Sequence, residues 1–146
     1  MKWSERQKLL AKMPAAAALL DDWLRAHAGH IGLVHFTLAA AVDDTGLHPE
    51  VIIEALFELD ASGLIAWDEE ELVVYITGWA LAHAAPGFLT QIAWRAQATK
   101  WPDTGPRAAL ERELEQVKQQ GRPRLQLVAN DGAEIAGPAR IMAVRR

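Results

Sequence analysis

Three observations predict a mainly α fold with a small β-hairpin wing, a winged helix-turn-helix with a helical C-terminal extension and a basic tail. The first is the stretch TGLHPEVIIEALFELDASGLIAWDEEELVVYITGW, residues 45–79, where an amphipathic helix runs into a glycine stop and then two β-rich runs. The second is what precedes it: helices, a short strand and a tight turn, in the winged-helix order. The third is the return of helical periodicity over residues 81–120.

Each element has a local reason. Ser4 with Gln7 has capping-box spacing for a short first helix with Leu9, Leu10 and Met13 inward. Pro14 breaks it and suits the first turn of a second helix, 15–28, whose stripe is Ala16, Leu20, Trp23, Leu24 and His27. Residues 32–36 read as a short strand that would pair with the wing. Thr37 is placed to cap a brief helix, 38–42, ended by Asp43-Asp44-Thr45-Gly46. In the next helix Ile52, Ala55, Leu56 and Leu59 recur at i, i+3, i+4, i+7, Pro49 is pre-set for the first turn, and Ser62-Gly63 supplies the stop. Runs 64–67 and 72–76 are β-rich, and Asp68-Glu69-Glu70-Glu71 fits a four-residue hairpin connection.

Beyond Trp79, a helix over 88–99 is expected to turn Leu89, Ile92, Ala93 and Ala96 inward. Trp101-Pro102-Asp103-Thr104-Gly105-Pro106 reads as a rigid turn. Arg107–Gln120 reads as a strong helix with a Leu110, Leu114, Val117 stripe, stopped by Gly121-Arg122-Pro123. In the tail, 121–146, Asn130-Asp131-Gly132 is a hairpin signal, with strands near 124–129 and 133–136 or 139–144. The expected division is a winged helix-turn-helix at 1–80, a packed helical extension at 81–120, and the basic tail.

Half of the 146 residues are apolar, enough for one real core. No apolar run approaches the roughly 20 residues of a membrane span. The start, MKWSERQKLL, lacks a signal peptide's apolar core, and there is no cysteine. A cytoplasmic location without membrane contact is therefore expected. Net charge is −4, unevenly placed. Residues 1–80 hold five Lys/Arg against thirteen Asp/Glu; residues 81–146 hold ten against six. The two halves are expected to meet different partners, or each other.

The run Trp3, Leu10, Met13-Pro14, Leu19-Leu20, then Gly32, Asp44-Thr45-Gly46-Leu47, Val51-Ile52, Ala55-Leu56, Leu59, Gly63-Leu64-Ile65, Trp67-Asp68, Val73-Val74, Ile76 and Trp79 resembles the N-terminal winged-helix domain of phage replication proteins, the replisome-organiser family. Pro86, the following helix, Pro102 and the charged helix after it extend the resemblance to about three quarters of the chain. It implies a non-enzymatic protein of a replication module that binds DNA, a replication partner protein, or both.

The residues depart from a DNA reader. A helix in the major groove needs donors toward base edges and cations toward phosphates. Residues 47–59 offer Glu50, Glu54 and Glu58 with no Lys or Arg, and the wing adds Glu69, Glu70 and Glu71. Such a face repels phosphate and forgoes counterion release. Ile53 and Phe57, at i and i+4, fall off the core stripe. They belong to a wider core, a homodimer face or a surface for a foreign protein partner. The alternative function is accordingly a winged-helix interaction module or inhibitor, such as a phage counter-defence protein, with its acidic face on a nucleic-acid-processing protein.

The candidate nucleic-acid contacts lie in the basic half. Trp94, Arg95, Lys100, Trp101 and Arg107 interleave rings that stack on unpaired bases with cations that track phosphates. Arg122, Arg124, Arg140, Arg145 and Arg146 make the tail basic. The competing reading packs both tryptophans in the core or against the Pro102 turn. His27 and His30 form an H-x-x-H, but no cysteine or spaced carboxylate joins them, so no metal is expected; His27 against its own helix C-terminus is the simpler reading. The turn acids Asp43-Asp44 and 68–71 have no base, phosphate loop or nucleophile motif beside them, so neither an enzyme nor a cofactor is expected.

Overall fold

Hydrophobic periodicity sets most of the architecture. A computed structural model of the chain describes residues 1–134, with side chains as far as Gly121. The elements are α1 (Trp3–Leu10), α2 (Ala15–His27), β1 (Leu33–His35), α3 (Leu38–Thr45), α4 (Pro49–Ala61), β2 (Ile65–Asp68), β3 (Val73–Ile76), α5 (Trp79–His83), α6 (Phe88–Ala98) and α7 (Gly105–Glu134). The molecule is mainly helical, with one antiparallel sheet in the order β1-β3-β2. β1 pairs with β3 as Leu33 to Tyr75 and His35 to Val73, and β2 pairs with β3 as Ile65 to Ile76 and Asp68 to Val73.

The sheet is covered on both faces, which explains why Val73-Val74-Tyr75-Ile76 is apolar throughout rather than alternating. Val34, Val74, Ile65 and Ile76 face a core built with Leu20, Leu24, Ile52, Leu56 and Leu59 from α2 and α4. Leu33, Val73 and Tyr75 face a second core built with Trp94, Ala98, Leu110 and Leu114 from α6 and α7. The α4 stripe Ile52, Ala55, Leu56, Leu59 and the α7 stripe Leu110, Leu114, Val117 are buried as their spacing predicts.

Two buried polar clusters join the layers. Arg6 on α1 and Asp21 on α2 are fully buried. Arg6 donates from Nη1 to Asp21 Oδ2 (2.9 Å), from Nη2 to Asp21 Oδ1 and to the Leu64 carbonyl (2.9 Å), and from Nε to the Thr77 carbonyl (2.9 Å). Arg25 adds a bond to Asp21 at 3.0 Å. One guanidinium thus ties α1 to α2 and to the ends of both hairpin strands. In the second cluster, Glu113 of α7 accepts from the Tyr75 hydroxyl and from the Gly78 amide, both at 2.7 Å, and the Ala80 amide donates to the Tyr75 oxygen at 3.0 Å. Among the described residues, no buried side-chain nitrogen or oxygen lacks a partner.

Burial, the Glu113 charge and the Glu113 hydrogen bond together raise the Tyr75 phenol far above its ordinary pKa near 10. Below that ordinary value, folded and unfolded chains both carry a neutral phenol. Above it only the unfolded chain ionises, so stability should fall with rising pH by up to about 1.4 kcal/mol per pH unit. Tyr75 is the chain's single tyrosine, which makes the test clean. In an alkaline titration, tyrosinate absorbance is expected only together with unfolding, and Tyr75→Phe should flatten this part of the pH dependence. A tyrosinate signal near pH 10 in still-folded protein would contradict the assignment.

Several expectations are corrected. α6 buries Gln91, Trp94 and Ala98, while Leu89, Ile92, Ala93 and Ala96 are exposed. The inward stripe follows the bulkiest ring, and Gln91 is tolerated inside because its amide donates to the Leu114 carbonyl at 2.9 Å. α7 continues through Gly121 and Pro123 to Glu134, so the expected stop, the strand at 124–129 and the Asn130-Asp131-Gly132 turn are all helical backbone. The proline removes one backbone donor from a helix already set by its buried Leu110, Leu114, Val117 stripe. The part of the proposed hairpin in 135–146 lies outside the described residues. Leu9 is exposed, and α1 begins at Trp3 with Lys2 before it and no side-chain cap, so the Ser4–Gln7 box does not form. Pro14 takes the capping position of α2. Asp68 belongs to β2, and its Oδ1 accepts from the Glu70 and Glu71 amides (3.0 and 2.8 Å), which shapes the turn.

Candidate functional site

α4 is placed by its buried stripe, and the opposite side of the helix is thereby given to solvent. Glu50, Glu54 and Phe57 are exposed there. The hairpin tip presents Glu69, Glu70 and Glu71, all exposed. Phe57, 50 % exposed, meets Trp67 of β2 edge to face with centroids 5.7 Å apart. This pair joins the helix that carries Glu50 and Glu54 to the hairpin whose tip carries Glu69–Glu71. Ile53 is half-buried against the α2–α4 core. The wider-core reading therefore fits Ile53, and the contact-patch reading fits Phe57.

The hairpin tip also carries a strained apolar residue. Leu72 has φ +55°, in the left-handed region that costs a non-glycine residue about 1–2 kcal/mol, and its side chain is 45 % exposed. Glycine or asparagine would sit there more comfortably. Leu72 closes the turn just before β3, where a short hairpin loop calls for a residue in the left-handed region.

The basic candidates are dispersed. Trp94 is a core residue, 3 % exposed, with its ring against His30 at 5.1 Å, so it is no stacking platform. Arg95 bonds Gln91 and Glu115, both at 3.2 Å. Arg107 reaches Glu111 at 3.5 Å and donates to the Trp101 carbonyl at 3.2 Å. Lys100 is exposed, with no ion pair among the described residues. Trp101 is half-buried and stacks on His35. Arg122 and Arg124 lie on the α7 backbone with side chains outside the described set, as do Arg140, Arg145 and Arg146 altogether. The acidic candidates are thus exposed on α4 and at the hairpin tip, while among the described side chains Trp94 is in the core, Arg95 and Arg107 are ion-paired, Trp101 stacks on His35 and Lys100 is exposed.

His27 Nδ1 lies 2.9 Å from the Trp23 carbonyl at the end of α2, in keeping with a helix-end histidine, and its Nε2 lies 3.5 Å from Asp44. Among the described residues, no three side chains of the metal-ligating types gather. No described helix is long and apolar enough to cross a membrane.

Sequence reasoning missed the Arg6–Asp21 pair, the Tyr75–Glu113 cluster and the strain at Leu72. Asp21 had a signal: it sits between Leu20 and Leu24 on the buried side of α2, where a carboxylate demands a cation. Nothing local points to Glu113 or Leu72. No family model matches the chain, and neither a curated protein nor a solved structure matches it significantly.

Proposed function

We propose that this is a non-enzymatic winged helix-turn-helix protein of the phage replication type that engages a partner protein, rather than a DNA duplex, through its α4–hairpin surface. α3 and α4 would be the helix-turn-helix pair and β2–β3 the wing. The observation that carries the reading is the contact between the exposed Phe57 and the partly buried Trp67, on a helix and hairpin whose exposed acids include Glu50, Glu54 and Glu69–Glu71. Half-exposed aromatics among charged residues are the composition of a protein-interface hot spot. The same carboxylates oppose a phosphate backbone. The fitting partner presents cations around an apolar pocket, as the nucleic-acid-binding surface of a replication or other nucleic-acid-processing protein does.

Two measurements test this. In a low-salt mobility-shift series, duplex DNA should bind weakly or not at all; tight, salt-sensitive duplex binding would restore the DNA-reading alternative. Calorimetric titration against a replicative helicase or helicase loader should give a complex that Phe57→Glu weakens by roughly 30-fold, about 2 kcal/mol, the size of a hot-spot loss. Sedimentation of the same variant separates a foreign partner from a second copy. Leu72→Gly should raise stability by about 1 kcal/mol by relieving the left-handed leucine, and should weaken the complex. If it leaves binding intact, the leucine is not part of the contact.

A further inference from the structure

Two tryptophan–histidine stacks line one cleft that shares no residue with the α4–hairpin surface. Trp23 and His27, one turn apart on α2, stack with centroids 4.2 Å apart and planes at 26°. His35 at the end of β1 stacks on Trp101 at 4.3 Å and 21°. Both pairs, with Gly29 and Thr37, border a cleft of about 330 Å³.

The first wall is fixed. Trp23 Nε1 donates to Asp44 at 2.8 Å, and the His27 ring lies between Trp23, its carbonyl and Asp44. The second wall has free edges. His35 and Thr37 are exposed, and neither side chain hydrogen-bonds another described residue. Thr37 even stands in the capping position of α3 without capping it. Each imidazole uses one face on its tryptophan. The cleft is therefore lined by flat π systems and, on one edge, by the ring nitrogens of an imidazole beside a hydroxyl that can donate and accept.

We propose that this cleft binds one flat heteroaromatic ring of the nucleobase type, carried by a free nucleotide or by an unpaired base of a single strand. A ring whose rim alternates donors and acceptors satisfies His35 and Thr37 as a phenyl or aliphatic group does not. A base inside a duplex has its faces covered and cannot enter. The site shares no residue with the α4–hairpin surface, so it stands or falls separately from the function proposed there.

The test is titration of the full chain with AMP, with a short oligodeoxyadenylate and with an abasic strand of equal length, followed by tryptophan fluorescence and calorimetry. Saturable binding of AMP is expected, weakened about tenfold by either His35→Ala or Thr37→Val at unchanged melting temperature, and unaffected by Phe57→Glu. Tighter binding of the oligodeoxyadenylate, with none by the abasic strand, identifies a single strand as the source; equal binding of AMP and the oligonucleotide identifies the free nucleotide. The absence of a saturable response to AMP and oligonucleotide at millimolar concentration, or a response that both variants leave intact, would overturn the proposal.

Discussion

Replacing Asp21 with alanine should cost about 3–5 kcal/mol of stability, a large part of the roughly 5–15 kcal/mol that holds a typical domain. The carboxylate neutralises a guanidinium with no solvent exposure, and without it the Arg6 cation is left with two carbonyls, those of Leu64 and Thr77. Arg6→Ala should cost a similar amount by stranding the carboxylate with Arg25 alone at its edge. The double variant Arg6→Met with Asp21→Leu should recover most of the loss, because an apolar pair of similar volume avoids the desolvation that each single variant leaves unanswered. Chemical denaturation midpoints decide it. A loss under about 1 kcal/mol for Asp21→Ala would mean that the cation finds another partner or water.

Gly32→Ala is expected to cost about 2–5 kcal/mol, for two separable reasons. Gly32 has φ +82°, which costs an alanine about 1–2 kcal/mol. An added Cβ would also stand 2.5 Å from Trp79 Cγ, and relieving that overlap costs about 1–3 kcal/mol more. Trp79 is not free to yield, since its Nε1 donates to the His30 carbonyl at 3.0 Å and its ring meets Trp3 and His83. Gly46→Ala is the control: its φ is +74°, but nothing lies within 4 Å of the added carbon, so only the conformational cost applies. Equal losses at the two positions would show that the indole gives way.

How far these arrangements could be read in advance depended on whether their cause is local. The α4 stripe, the Gly63 stop and the β2–β3 hairpin follow from period, glycine conformation and β-branched runs, and they stand where those signals place them. The acidic character of the exposed α4 face was equally legible, because helical spacing alone decides which glutamates share a side. α6 was not, since two stripes compete on it and only the partner helix decides between them; the bond from Gln91 to the Leu114 carbonyl spans 23 residues. The same holds for Glu113, whose contacts at Tyr75 and Gly78 lie 35 or more residues away. Trp94 and Trp101 illustrate the limit at the functional surface. Seven residues apart and equally aromatic, one fills the core and the other stacks on His35 at the edge of a cleft. His35 comes to Trp101 through the sheet register, which composition does not encode.

The strand β3 stands at the centre of the sheet, with one helical layer on each side. Its consequence is felt by anyone who would cut the molecule. Ending the chain near residue 80, where acidic composition gives way to basic, would bare Leu33, Val73 and Tyr75 and remove the carboxylate that receives the tyrosine. The change of charge along the chain is thus a seam inside one cooperative unit, and a fragment made there would be expected to aggregate rather than to fold as a smaller acidic protein.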